Sequence, residues 1–324
     1  VELFQPSITL DKTGDPLSKI GDDTSYVITL VNTSAPDTPD MTCTITDAAV
    51  GVNQAVTLAS GETSTINATA AIPAGAADPY VNTASASCTV AGFPNVLSAG
   101  ASHSVNLFQP AISFDKTVDN DYSKVGDTLG YTLVLGNTSS SDTPPMECII
   151  SDTKLGINKL VTLAAGTSDT TNASYTIQVG DDGVSFSNSA SVLCSPLGFP
   201  NSLTASDSVT VTLIHPSFTV AKSCTTEPVP QDGPATYDVI IANTGDVELI
   251  IVADDGIGTF NLAAGTSQTF PVSLSGPFAG QVSVSNTVSA SWTLPAQIGL
   301  PNTDSASASD TCIVAGEGKI IKLM

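Results

Sequence analysis

Apolar side chains along this chain return at every second position over short stretches, and no segment keeps the 3.6-residue spacing of a helix face for more than about two turns. Tyr26, Ile28 and Leu30 alternate with Val27, Thr29 and Val31 before the stretch ends at Asn32-Thr33. Tyr131, Leu133 and Leu135 lead to Asn137-Thr138 in the same way, and Tyr237, Val239 and Ile241 lead to Asn243-Thr244-Gly245. Such alternation predicts half-buried strands with their Tyr and aliphatic residues facing inward. Turn clusters such as Pro36-Asp37-Thr38-Pro39, Ala59-Ser60-Gly61 and Gly180-Asp181-Asp182-Gly183 separate the strands.

The pattern is written three times. Leu3-Phe4-Gln5-Pro6 returns as Leu107-Phe108-Gln109-Pro110 and, loosened, as Leu213-Ile214-His215-Pro216. Asp11-Lys12-Thr13 returns as Asp115-Lys116-Thr117 and Ala221-Lys222-Ser223, and Gly92-Phe93-Pro94-Asn95 as Gly198-Phe199-Pro200-Asn201 and Gly299-Leu300-Pro301-Asn302. About seven short strands in each repeat of about 105 residues predict an all-β chain of three tandem immunoglobulin-like β-sandwich domains. A single large β-barrel is disfavoured, because every repeat carries a full set of strands. The expected limits are 1–109, 110–215 and 216–317, with 318–324 as a terminal β-prone extension. One or two residues of linker at each proline predict stiff junctions.

The cysteines follow the repeats. Cys43 and Cys88 correspond to Cys148 and Cys194, so each of the first two repeats is expected to close its own bridge. In the third, Trp292 takes the place of the second cysteine and Ile250 is read as the counterpart of the first, which leaves Cys224 and Cys312 to pair with each other. Clustered Cys and His at zinc spacing are absent. Persistent bridges point to an oxidising compartment. Four Asn-x-Ser/Thr sequons, at Asn32, Asn67, Asn137 and Asn172, are candidate glycosylation sites in such a compartment. At Asn32 and Asn137 the alternative is an Asn that ends a strand by bonding its own backbone.

Charge narrows the partners. With 31 acidic and 9 basic residues the net charge is −22, and every cation is Lys, which excludes a nucleic-acid binder. A hydrophobic content of 41% with 12% charged residues is that of a folding chain rather than a disordered one. No run approaches the roughly 18 to 20 apolar residues of a membrane span. Neither an initiator Met nor a charged leader precedes Val1, so the chain is expected to be a soluble, processed or excised piece.

The stretch from Lys19-Ile20-Gly21-Asp22 through Tyr26 to Asn32-Thr33, with Lys124-Val125-Gly126-Asp127 through Tyr131 and Tyr237 to Gly245 behind it, resembles a known repeat. It is similar to the tandem "conserved repeat" modules, domain of unknown function eleven, of bacterial and archaeal surface proteins. Asp47 and Asp152 match that pattern's later acidic position, whereas the paired cysteines are not part of it. The resemblance implies a secreted or cell-surface structural or adhesive module with no family active site.

The residues themselves carry little chemistry. His103 and His215 have no nucleophile motif around them and are read as solvated strand-end residues, and no catalytic group is expected. The pairs Asp22-Asp23, Asp181-Asp182 and Asp254-Asp255 are candidate oxygen ligands for Ca²⁺ at module rims, although none has the spaced loop of a dedicated site; otherwise no cofactor is expected. Two functions compete: a subunit of an extracellular filament, surface layer or matrix, and an adhesin stalk or binding module presenting loops to a surface or polysaccharide. An aromatic content of 5% favours the first, since binding loops draw on aromatic anchors. Self-association is expected, with the chain ends as its instrument. Val1 to Gln5 match the end of a preceding repeat's last strand, and residues 318–324 match the start of a first strand. The ends are explained either by a window cut from a longer protein or by strand donation between subunits through Val1, Leu3, Ile320, Ile321 and Leu323.

Overall fold

The computed structural model describes residues 3–316. The first module contains β1 (Ile8–Gly14), β2 (Leu17–Ser18), β3 (Asp23–Asn32), β4 (Met41–Asp47), β5 (Val52–Leu58), β6 (Thr63–Ala71), β7 (Tyr80–Val90) and β8 (Val96–Leu107). The second contains β9 (Ile112–Val118), β10 (Tyr122–Ser123), β11 (Thr128–Asn137), β12 (Met146–Asp152), β13 (Ile157–Leu163), β14 (Ser168–Thr176), β15 (Ser185–Pro196) and β16 (Leu203–Leu213). The third contains β17 (Phe218–Cys224), β18 (Ala235–Asn243), β19 (Leu249–Ala253), β20 (Gly258–Leu262), β21 (Ser267–Leu274), β22 (Ser283–Thr293) and β23 (Thr303–Ile313).

Each module is a sandwich of two sheets. In the first, a three-stranded sheet β1-β3-β6 faces a five-stranded sheet β2-β8-β7-β4-β5; in the second, β14-β11-β9 faces β10-β16-β15-β12-β13. The third pairs β17-β18-β21 with a four-stranded β20-β19-β22-β23, and a single parallel bridge from Val229 to Val314 stands where the other modules have β2 and β10. All long pairings are antiparallel, whereas β2 with β8 and β10 with β16 are parallel.

The two-residue period governs burial. On β3, Tyr26, Ile28 and Leu30 are buried while Ser25 is exposed; Tyr131, Leu133 and Leu135 on β11 and Tyr237, Val239 and Ile241 on β18 are buried likewise. The outward positions of β7, Thr83, Ser85, Ser87 and Thr89, are exposed hydroxyls, so the surface is polar without being charged. No helix among the described residues is long and apolar enough to cross a membrane.

One sequence reading of these positions changes. Cys43 faces Cys88 directly across β4 and β7, and Cys148 faces Cys194 across β12 and β15, so both bridges join neighbouring strands of one sheet. In the third module Trp292 faces Ile251, not Ile250, which pairs with Thr293. A one-residue slip would have placed the partner on the outer face. The third bridge, Cys224–Cys312, ties β17 to β23 and so links the two sheets.

Asn32 and Asn137 are buried and act as strand-end clamps, which removes them as sugar acceptors in the folded chain. Asn32 Nδ2 donates to the Leu58 carbonyl at 3.0 Å and its Oδ1 accepts from Ser34 N at 3.1 Å; Asn137 bonds Leu163 and Ser139 at the same distances. Asn243 repeats the clamp onto Leu262 and Gly245. Gly245 replaces the sequon serine because a Cβ there would lie 2.3 Å from the His215 carbonyl oxygen. Asn67 and Asn172, by contrast, are exposed on β6 and β14, the edge strands of their sheets.

Candidate functional site: buried lysine clusters and module junctions

A lysine on a first strand is the least expected core residue of this fold. β1 places Lys12 among its inward positions, and its side chain is 0% accessible; so are those of Lys116 on β9 and Lys222 on β17. The cost of burying an ammonium demands a partner. That partner is a carboxylate at or just past the end of the strand carrying the Cys43-equivalent residue. Lys12 Nζ bonds Asp47 Oδ2, Lys116 Nζ bonds Asp152 Oδ2, and Lys222 Nζ bonds Asp255 Oδ2. Asp47 and Asp152 are themselves fully enclosed, whereas the Asp255 side chain keeps 19% of its surface.

A third side chain completes each cluster. Asn82 on β7 donates through Nδ2 to the same Asp47 Oδ2 at 3.2 Å; Asn188 on β15 does so to Asp152 at 3.2 Å, and Asn286 on β22 to Asp255 at 3.0 Å. Asp47 Oδ1 accepts from Ala49 N at 3.2 Å and Asp152 Oδ1 from Leu155 N at 3.0 Å, which fixes both carboxylates. A buried tyrosine ring covers each ammonium, with its centroid 4.5 Å away for Tyr26 and 5.0 Å for Tyr131 and Tyr237. Burial raises the pKa of all three phenols, that of Tyr131 to about 12, with the Asp152 charge adding to it, so each ring stays neutral.

The sequence reading held half of this cluster without joining it. It noted the repeated lysines and placed Asp47 and Asp152 in a family pattern, and it named Asp255 only as a calcium candidate. Asn82, Asn188 and Asn286 were missed. The signal available was parity, because a lysine on the inward face of an alternating strand needs a polar answer from the opposite sheet.

The remaining candidates lie elsewhere. Asp22 accepts from Asn201 and Lys19, Asp23 is exposed, and Asp254 accepts from Ser289 N. Asp181 accepts from Lys154, Tyr175 and Gln178 N, and the Lys154 and Tyr175 hydrogen bonds hold its carboxyl down at about 2. Among the described residues no group of three or more acidic, His or Cys side chains is arranged to hold a metal ion. Leu3 is 86% exposed and outside any strand, while Val1, Ile320, Ile321 and Leu323 lie outside the described residues.

The junctions between modules repeat. Asn201, in the Gly-Phe-Pro-Asn loop of the second module, donates to Asp22 Oδ1 of the first at 3.1 Å, and Asn302 of the third donates to Asp127 Oδ2 of the second at 3.1 Å. Phe108 of the connecting segment packs on Phe199 with ring centroids 4.6 Å apart, as Phe4 packs on Phe93. The second junction adds His215, whose ring nitrogens meet Asp246 at 2.6 Å and Asp182 at 2.7 Å. Those hydrogen bonds, the Asp246 one foremost, raise its pKa. His103 lies within β8 with Nε2 3.0 Å from the Asp15 carbonyl.

The sequence matches no protein-family model, so the likeness to conserved-repeat modules rests on its motif residues. No curated protein matches either. The chain is similar to the solved structure described as "Structural insight into host cell surface retention of a 1.5-MDa bacterial ice-binding adhesin", at 16% identity and a TM-score of 0.48, over 95% of this chain and 98% of that one.

Proposed function

We propose that this chain is a structural protein of an extracellular assembly, secreted or held at a cell surface, in which rigid β-sandwich modules are joined into a rod that builds a filament, surface layer or matrix. The repeated junction carries this reading. Two successive interfaces use the same Asn-to-Asp hydrogen bond, from Asn201 to Asp22 and from Asn302 to Asp127, between the same two loops of neighbouring modules. A contact used twice in the same register sets one module-to-module step, and repeating a step generates a linear array. Three disulfides fit an oxidising environment. A hydroxyl-rich, strongly acidic surface suits a soluble array whose glycans, where present, sit on Asn67 and Asn172. The motif resemblance to conserved-repeat modules of surface proteins points the same way. Negative-stain electron microscopy of the purified chain tests it: straight rods that join end to end are expected. Rods that stay single at every concentration favour the adhesin-stalk alternative, and modules hinged at random angles overturn the rigid-array reading.

A further inference from the structure

The outer face of the larger sheet differs between the three modules. In the second, the outward residues Leu160, Ile149, Leu193 and Thr204 face one another in a single row across β13, β12, β15 and β16. The same row reads Ala55, Thr44, Ser87 and Ser98 in the first module and Thr259, Val252, Ser291 and Ser305 in the third. Only the second module sets three large aliphatic side chains together in water, and Leu160 keeps 66% of its surface there. The fold accepts Ala, Thr and Ser in their places, so packing does not demand them. An exposed apolar row that packing does not require marks a contact surface.

Its relief and its charge point to one occupant. Leu160 stands up on β13, and on the far side of Ile149 from it lies a hollow of about 430 Å³ lined by Ile149, Leu193, Ser191, Thr204 and Ser206. A projecting residue beside a hollow is a shape that can complement itself. In the adjoining rows every outward residue on these strands is Ser, Thr or Asn except Glu147. A basic partner would find one carboxylate to bind, whereas another copy of this chain, with its net charge of −22, meets only one that repels it.

We propose that this row is a pairing surface for a second copy of the chain, met face to face, with Leu160 of each copy seated in the hollow of the other. A two-fold axis parallel to β12 and passing over Ile149 makes the exchange, because it carries β13 of one copy over β15 of its partner and returns the favour on the other side. That axis leaves strand direction unchanged. The two chains therefore lie side by side and point the same way, their sheets about 10 Å apart. Glu147, two positions along β12 from Ile149, then faces its own copy across the axis, and the like charges hold the pairing weak. Size acts in the same sense. Four strands by three rows cover on the order of 400 Å² per copy, against the roughly 800 Å² per partner of a stable interface. One pair of modules thus associates transiently, and the contact gathers chains durably only where many are already aligned. From the rod reading the proposal takes only that the modules stand in line.

Analytical ultracentrifugation of the full, oxidised chain over a concentration series tests it, with small-angle X-ray scattering of the same samples to separate rods that widen from rods that lengthen. The parent chain is expected to shift toward a dimer of doubled cross-section as concentration rises. Giving the second module the row of the first, by Leu160→Ala, Ile149→Thr and Leu193→Ser together, is expected to abolish the shift with side chains the fold already accepts. Glu147→Gln is expected to move the shift to lower concentration. A parent chain that stays single at every concentration overturns the proposal and leaves the row to a different protein. So does a shift that survives the triple variant or weakens in Glu147→Gln. Rods that lengthen without widening overturn this pairing while the end-to-end reading stands, and rods that widen without lengthening support the pairing against that reading.

Discussion

The first two modules and the third meet the same need in different ways. In the first two, a disulfide links facing residues of neighbouring strands near the centre of the larger sheet, its cysteines 45 and 46 positions apart in sequence. In the third, Ile251 and Trp292 occupy that site, and the disulfide has moved to the sandwich edge, where Cys224 and Cys312 stand 88 positions apart in sequence and the bond crosses between sheets. The chain-entropy model assigns about 4 kcal/mol to each shorter loop and about 4.6 to the longer one. The two designs therefore constrain the unfolded chain to a similar degree. What differs is the core, since a small cystine can be exchanged for a large indole while the lysine cluster stays in place.

Removing the indole breaks the comparison most sharply. Trp292 is 5% exposed in the third core, and Trp292→Ala is expected to cost that module about 3–5 kcal/mol with Cys224–Cys312 intact, measured by calorimetry that resolves the modules. An unchanged transition would mean that the cystine alone carries the third module. Reducing the protein should lower all three modules by comparable amounts, on the order of 4 kcal/mol each, read by hydrogen exchange with and without thiol. Selective loss of one module would show that the two bridge positions are not equivalent. Asn137→Ala should cost about 1–3 kcal/mol by leaving the Leu163 carbonyl buried without its donor, with Asn243→Ala as its counterpart in the third module.

The smallest effect separates the two junctions by pH. His215 has its pKa raised by Asp246 and Asp182, so its contribution is fully present below the ordinary imidazole value and is lost as pH rises through the raised one. Protection of the amides around Asp246 should fall over that window. The first junction, with Gln109 at the equivalent place, should show no such change, and His215→Gln should abolish it.

Strand positions and the repeat were legible because the two-residue alternation is strong and the turns are marked by Gly and Pro. The bridges were legible because one repeat annotates the next. Ile250 was misassigned because the third module has a shorter strand there, β19, and a register shift of one residue leaves composition unchanged. Asn32 and Asn137 carry a sequon whose serine is half of a backbone clamp, which no motif distinguishes from an acceptor site. The lysine clusters were hidden for a different reason. Their members come from three strands in two sheets, and only the closed sandwich brings them to one oxygen.

The short parallel pairs have a mechanical consequence. Leu17–Ser18 run alongside Asn106–Leu107, Tyr122–Ser123 alongside Thr212–Leu213, and Val229 beside Val314, so in each module a segment near the entry is bonded to the strand at the exit. Tension along the chain drags these two segments in opposite directions along a shared axis in the first two modules. Their hydrogen bonds, such as Phe108 N to the Ser18 carbonyl at 3.0 Å and Ile214 N to the Ser123 carbonyl at 2.9 Å, are then loaded together in shear and must fail together. An antiparallel pair pulled from one end would instead unzip bond by bond. Pulled by its ends, the chain resists at this seam in the first two modules, where it is a patch only a few residues long, whereas in the third the Cys224–Cys312 bridge carries the load past Val229 directly to the exit strand.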